Sequence, residues 1–272
     1  MRNRVAMIDT WSRGNAAAFL PDDAFVRMTE HVRRHPWWRA RSRLVRSILR
    51  TLGVKPPASV VDVGCGWGVD VLALERAGYA VVGLDASRGM LELLDRPGRT
   101  LIEADLTQPA PEAAPTFDAL LALDVIEHLD DDRAAMAWSA ARVKPGGVAV
   151  VSVPALPRLF SHFDTIQGHR RRYEPATLRR AFEGSGLEVE TVIWWGAWMV
   201  PVLARQRVRK TPPRQAAERT YADYLRLPPW PVPSLMTLMF AGEHHLALAR
   251  RLSTGTSLFA IARKPAGSPR AR

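Results

Sequence analysis

The chain of 272 residues has a single cysteine, Cys65, so no disulfide framework holds it together and nothing points to secretion. It has no uninterrupted apolar run near the roughly 20 residues that a membrane-spanning helix needs. Its basic opening, MRNRVAMIDTWSRG, is not followed by an apolar stretch. A signal peptide is therefore not expected there, and a cytoplasmic location is. No internal repeat is visible, which argues against a solenoid or propeller. Acidic residues are in deficit: 27 Asp and Glu against 38 Lys and Arg, for a net charge of +11.

What is present is a chain able to fold. With 47% hydrophobic residues it buries a proper core. The charge is unevenly spread. Residues 59–135 hold 15 Asp and Glu against 5 Arg and Lys, which leaves about +21 for the flanks. An acidic centre suits a cationic cofactor. Basic flanks suit an anionic small molecule, an acidic membrane surface or nucleic acid, or they are simply a solvated surface.

The pattern predicts an irregular stretch over residues 1–30. A basic amphipathic helix follows from Glu30 to Leu52, with Pro36 near its start and Trp38, Leu44, Val45, Ile48 and Leu49 on its apolar face. Strands and helices then alternate. Strands are expected at 59–66, 79–87, 100–106, 117–129 and 146–154, and helices at 69–77, 88–95 and 130–143. That alternation predicts a mostly parallel sheet with helices on both faces. A helix at 175–186 and a strand at 187–198 follow, then a helical insertion over 199–252 and a last strand at 257–264. The expected organisation is an N-terminal helical segment (1–55) that helps cover the site and a Rossmann-like core (56–198). A helical insertion or lid (199–254) and a final strand with its tail (255–272) complete it.

The strongest motif is VVDVGCGWG at 60–68. A strand ends in glycines that bend the chain into a helix, which lets a ligand approach the backbone closely. In open parallel sheets, ligands bind at the carboxyl ends of the strands beside such a turn. The spacing is G-x-G-x-G, unlike the G-x-G-x-x-G of dinucleotide enzymes. Asp85, Asp105 and Asp124 close three successive strands. Each could serve a ligand, Asp85 on ribose hydroxyls, or each could cap the following helix.

With these residues the chain resembles the class I S-adenosylmethionine (SAM)-dependent methyltransferases over roughly residues 30–195 and 257–264. The carrying pieces are VVDVGCGWG, GLDAS, EADL, FDALLALDVIEHLDD and KPGGVAVVSVP. It is similar to small-molecule enzymes of the ubiquinone/menaquinone-biosynthesis type. A looser likeness lies in HPWW-RAR, GHRRRY and GTSLFAIARK. The resemblance implies a seven-stranded sheet whose last strand is antiparallel. It implies that Asp62, Gly64, Cys65 and Gly66 contact SAM. Asp85 and Ala86 would lie at the ribose, Asp105 and Leu106 at the adenine, with Asp124 alongside. Asp124, Glu127 and His128 resemble the E-x-x-E-H cation site of ubiquinone O-methyltransferases, with Asp in the first place. A divalent metal is possible there but not expected.

The catalytic candidates are His128 as general base, with Glu127 and His169 beside it. The segment SHFDTIQGHRRRYEP (161–175) offers His162, Arg171 and Tyr173 to an acceptor, and Trp195 is a further acceptor contact. The Trp- and Pro-rich stretch 194–240 reads as a lid over an apolar acceptor, a membrane-surface contact, or ordinary core or homodimer packing. Cys65 reads as a packing residue. The expected reaction is methyl transfer to a small molecule, oxygen first, in natural-product, quinone or lipid-linked biosynthesis. The rival is an RNA or protein methyltransferase using the basic flanks. It is disfavoured because DVIEHL stands where base-amino methylating enzymes carry N-P-P-Y or D-P-P-Y.

Overall fold

The central strands are apolar almost without interruption, and that dictates their place. Phe117–Leu123 (FDALLAL) is buried at every position but one, as a strand covered by helices on both faces must be. A computed structural model describes residues 8–13, 22–207 and 226–266. The strands are β1 (Ile8–Thr10), β2 (Ser59–Val63), β3 (Ala80–Asp85), β4 (Thr100–Glu103), β5 (Phe117–Leu123), β6 (Val143–Pro154), β7 (Glu188–Trp195) and β8 (Ser257–Arg263). They form one sheet in the order β1-β4-β3-β2-β5-β6-β8-β7. All neighbouring pairs are parallel except β6·β8 and β8·β7. The antiparallel last strand is therefore as expected.

Successive side chains leave a strand on opposite faces. Val61, Leu120 and Val151 pack on one face, and Val60, Leu121 and Val150 on the other. The first face is covered by α5 (Asp132–Arg142) and α7 (Pro175–Ala181). The second is covered by α2 (Pro36–Thr51) and by α9 (Val232–Leu248), which follows α8 (Met199–Arg207). Chain order reverses between β2 and β5, since β3 and β4 lie on one side and β5 and β6 on the other. This switch point opens a crevice at the strand tips.

Two corrections concern the N-terminal part. Among the described residues the sheet has eight strands instead of seven. Residues Ile8–Thr10 pair with Leu101–Glu103 at its edge, and Thr10 Oγ1 donates to Glu103 at 3.1 Å. Three residues are too few to show a period, so only tertiary pairing makes this a strand. The single helix expected from Glu30 is two, α1 (Asp22–Arg34) and α2. His35 caps α2, its ring accepting the Trp37 N–H at 3.2 Å, and Pro36 takes the first helical position, where it has no N–H to waste. The expectations for residues 1–7, 14–21, 208–225 and the tail from 267 lie outside the described residues. Among the described residues no helix is long and apolar enough to cross a membrane.

Candidate active site

Strand β2 ends in a bend at residues 64–68. Gly64 and Gly66 adopt φ of 66° and 48°, a region costly for any residue with a Cβ. A Cβ on Gly64 would approach Val125 to 2.5 Å. One on Gly66 would meet nothing nearer than the Gly64 carbonyl at 4.0 Å, so the space in front of it is open. The neighbouring strand pins the bend. The Cys65 N–H donates to the Leu84 carbonyl at 3.0 Å. The Asp85 carboxylate accepts from the Gly66 N–H at 2.8 Å and the Ser87 N–H at 2.9 Å. The Cys65 thiol is buried, and burial followed by the charges of Asp85 and Asp62 push it well above the usual range. It stays protonated and packs against Leu91 and Leu101.

Behind the bend lies a charge cluster. Arg41 of α2 reaches Asp124 at 2.5 Å and Asp70, in α3 (Val69–Arg76), at 3.3 Å. Its guanidinium lies 5.1 Å from the ring centre of Trp37. Burial alone would lower the Arg41 pKa, but Asp124, Asp70 and Asp62 outweigh it and raise it. The Asp62 carboxyl is pushed well above the usual range by burial and then by Asp70. Asp124 holds a left-handed backbone, φ 58°, a strained state that persists only where the surroundings fix it. Its N–H donates to the Ser152 carbonyl at 2.9 Å and its carboxylate accepts from Ser152 Oγ at 3.2 Å. Three carboxylates around one guanidinium suit a zwitterionic ligand.

Past β5 a 3₁₀ turn spans Ile126–His128. Glu127 is fully buried, and among the described residues neither carboxyl oxygen has a hydrogen-bond partner. Burial, then the charge of Asp124, push its carboxyl well above the usual range. His169 places Nε2 3.9 Å from Glu127 and Nδ1 3.3 Å from Asp164. Asp164 is itself buried, accepting from Arg172 Nε at 2.6 Å and from the Ser161 N–H at 2.8 Å. A carboxylate can only accept, so Nδ1 carries a proton on the Asp164 side. The His128 ring meets His169 edge-on at 4.8 Å. Burial, then His169, lower the His128 pKa to about 4.

Donor atoms of Glu127, His128 and His169 lie within 4.8 Å of one another. This set of one oxygen and two nitrogens fits a transition-metal cation better than Mg²⁺. Asp124, the first member of the cation triad read from the sequence, is instead committed to Arg41 and Ser152, and His169 takes its place in the cluster.

One cavity of about 1060 Å³ joins these parts. That is at the upper end of the roughly 300–1,000 Å³ of small-molecule sites and leaves room for two ligands. Its walls include Asp62, Gly64, Cys65, Gly66, Asp124, His128 and His169. Arg41, Trp37, Trp38, Trp67, Asp70, Gln167 and Arg172 complete the polar side. The roof is apolar, with Met199, Val202, Leu203, Leu227, Val232, Leu235, Met236 and Met239. Asp85, Ala86, Asp105 and Leu106 are not among these walls; they stand at the tips of β3 and just beyond β4. Asp105 accepts from the Thr107 N–H at 2.9 Å and its hydroxyl at 2.8 Å.

Four expected acceptor contacts are engaged elsewhere. Tyr173 is buried and donates its hydroxyl to Asp132 at 2.8 Å. Arg171 donates to Asp132 at 3.2 Å and to the carbonyls of Leu129 and Asp130 at 3.0 and 2.8 Å. Trp195 is buried and stacked on Phe240 at 4.9 Å. His162 packs on Phe163 at 4.2 Å. None of the four lines the cavity. Conversely, Arg41, Asp70 and Arg172 line it without having been singled out as contacts. The run HPWWRAR (35–41) carried the signal for Arg41, and the arginine triplet at 170–172 for Arg172, but neither reveals which arginine turns inward.

Comparison with known proteins identifies the family. A family described as a methyltransferase domain matches residues 37–192. The ubiquinone biosynthesis O-methyltransferase of Vibrio parahaemolyticus is 34% identical over 94 residues, 32% of this chain and 40% of that protein. The trans-aconitate 2-methyltransferase of Methylobacterium nodulans is 34% identical over 118 residues, 42% of this chain and 45% of that protein. The chain thus spans less than half the length of these curated relatives. Among solved structures, the [4+2]-cyclase SpnF superposes with a TM-score of 0.53 at 17% identity, covering 83% of this chain and 81% of that one. A structure from Bacillus halodurans superposes with a TM-score of 0.52 at 14% identity, covering 81% of this chain and 98% of that one. These two share the fold, and a fold does not by itself fix a reaction.

Proposed function

Since the chain belongs to the methyltransferase-domain family, we propose that it moves a methyl group from S-adenosylmethionine to a small-molecule acceptor, at oxygen. The observation that carries the reading is the cavity itself, which unites the glycine bend, the acids behind it and the His128–His169 pair. The cofactor lies across the strand tips, with Asp85 on the ribose hydroxyls and Asp105 and Leu106 at the adenine. Its amino-acid end meets Arg41 through the carboxylate and Asp62 through the ammonium. The acidic surroundings favour the sulfonium.

Methyl transfer is an in-line displacement, so the site's main task is to hold donor and acceptor in line. The acceptor hydroxyl gives its proton to the neutral imidazole of His128. The oxygen lone pair bonds to the methyl carbon while the carbon–sulfur bond breaks and its electrons return to sulfur. The imidazolium so formed stands near Asp124, whose charge favours it. His169, oriented by Asp164, supports the pair. The partnerless oxygens of Glu127 favour a second reading, in which Glu127, His128 and His169 hold a divalent cation. Such a cation would lower the pKa of a bound acceptor hydroxyl. Oxygen as the methylated atom accords with the relative named as an O-methyltransferase.

The test is to incubate the protein with SAM and a panel of phenols, carboxylates and amines, following S-adenosylhomocysteine release and the mass of each acceptor. A methyl gain on a hydroxyl or carboxyl compound is expected. Binding of SAM with transfer only to RNA or protein would overturn the small-molecule reading. Activity lost to EDTA and restored by one added metal would select the cation over the free base.

A further inference from the structure

Helix α9 carries more apolar surface than it buries. Between Val232 and Leu248 there is no Asp, Lys or Arg, and the one carboxylate, Glu243, is buried with its oxygen accepting from the Gly196 and Ala197 N–H groups. Phe240, Glu243 and Ala247 form the buried stripe against α2 and β7. A flanking stripe, Leu235, Leu238, Met239 and Leu246, is open to solvent, with Leu238 68% and Leu235 57% exposed. Just before the helix Trp230 is 84% exposed. A contiguous exposed apolar patch marks a contact surface.

Charge decides what that surface meets. Arg226 precedes the helix, and Arg250 and Arg251 follow it, all three exposed. An apolar stripe framed by arginines with a tryptophan at its edge fits an anionic lipid surface, where the stripe sinks into the headgroup boundary and the arginines meet lipid phosphates. A second copy of the chain fits poorly. A twofold interface pairs the patch with itself, so arginines at one end would face arginines again.

The patch is continuous with the cavity mouth, because Leu235 and Met239 belong to both. We propose that α9 docks on anionic membrane and that the cavity admits, from the bilayer side, an acceptor carrying an apolar chain. The docking stands on its own observations, whereas the word acceptor rests on the methyl-transfer reading above.

The experiment is co-sedimentation of the full chain with vesicles of pure phosphatidylcholine and of phosphatidylcholine containing phosphatidylglycerol. Binding to the anionic vesicles alone, weakened by salt, is expected. The double variant Leu238→Asp/Leu246→Asp, which replaces no residue lining the cavity, should lose binding at least tenfold with SAM affinity unchanged. Trp230→Ala, outside any core, serves where the double variant fails to fold, and should weaken binding severalfold. No binding to anionic vesicles, or equal binding by the variants, overturns docking. A dimer in light scattering that Leu238→Asp/Leu246→Asp turns to monomer assigns the face to a second copy and also overturns it. Vesicle binding without SAM binding would leave docking intact and sink only the methyl-transfer reading.

Discussion

Asp85 is where a single side chain tests most. It accepts two backbone N–H groups that shape the glycine bend, and the proposed ribose contact adds charge-assisted hydrogen bonds worth about 2–4 kcal/mol together. Asp85→Ala should therefore weaken SAM binding roughly 30- to 1000-fold in titration calorimetry; an unchanged affinity removes Asp85 from the site. Asp62 makes a second prediction. Its carboxyl is held above the usual range by burial and Asp70, while a cationic ligand binds the ionised form. Binding should then release a proton, and SAM affinity should rise with pH above the ordinary carboxylate range until Asp62 is ionised in the free protein. Calorimetry in buffers of different ionisation enthalpy reads that proton directly. A pH-independent affinity with no proton released would separate Asp62 from the ligand. At this scale the sequence reveals residue types but not directions. The acids were legible because each closes a strand, whereas Arg171, Arg172 and Tyr173 stand side by side in sequence and only the fold turns Arg172 to the cavity and the others to Asp132.

At the level of elements, the alternation of apolar runs with glycine-ended helices made β2 through β6 readable, because both faces of a parallel sheet must be apolar and strands end where ligands bind. What could not be read has a physical cause. β1 is too short to carry a period, and α1 is separated from α2 only by His35, which caps the second helix before Pro36 starts it. Trp195 shows the same limit. It shares a face of β7 with Ile193 and belongs to the core with Phe240 and Phe259, although its neighbourhood reads as an acceptor pocket. Trp195→Ala should thus cost about 3–5 kcal/mol of stability and leave SAM affinity within about threefold. Denaturant unfolding measures the first and calorimetry the second. A fully stable variant with impaired turnover would return Trp195 to the acceptor side.

Across the whole molecule, buried titratable groups set a pH window. Burial lowers His35 and His128 from 6.5 to about 4. Both are neutral in the fold while the unfolded chain takes up protons more readily. Their contribution is fully present above about pH 6.5 and is lost as pH falls towards 4, on the order of 3 kcal/mol each. Glu127 works in the opposite sense: its raised carboxyl stabilises the fold below the ordinary carboxylate range and loses that contribution as pH rises through its folded value. Glu127→Gln should remove the alkaline part of this dependence, and unfolding midpoints recorded from pH 5 to 9 for both proteins would reveal it. Parallel curves for the two would mean that Glu127 is already matched by a partner.

The claim on which the rest stands is that the bend at residues 64–68 receives an adenosyl ligand. A crystal structure of the protein with S-adenosylhomocysteine tests it most directly. The account predicts the ribose on Asp85, the amino-acid carboxylate on Arg41, and the sulfur facing the His128–His169 side of the cavity. Density for the ligand elsewhere, or a bend that stays empty at saturating ligand, would contradict it.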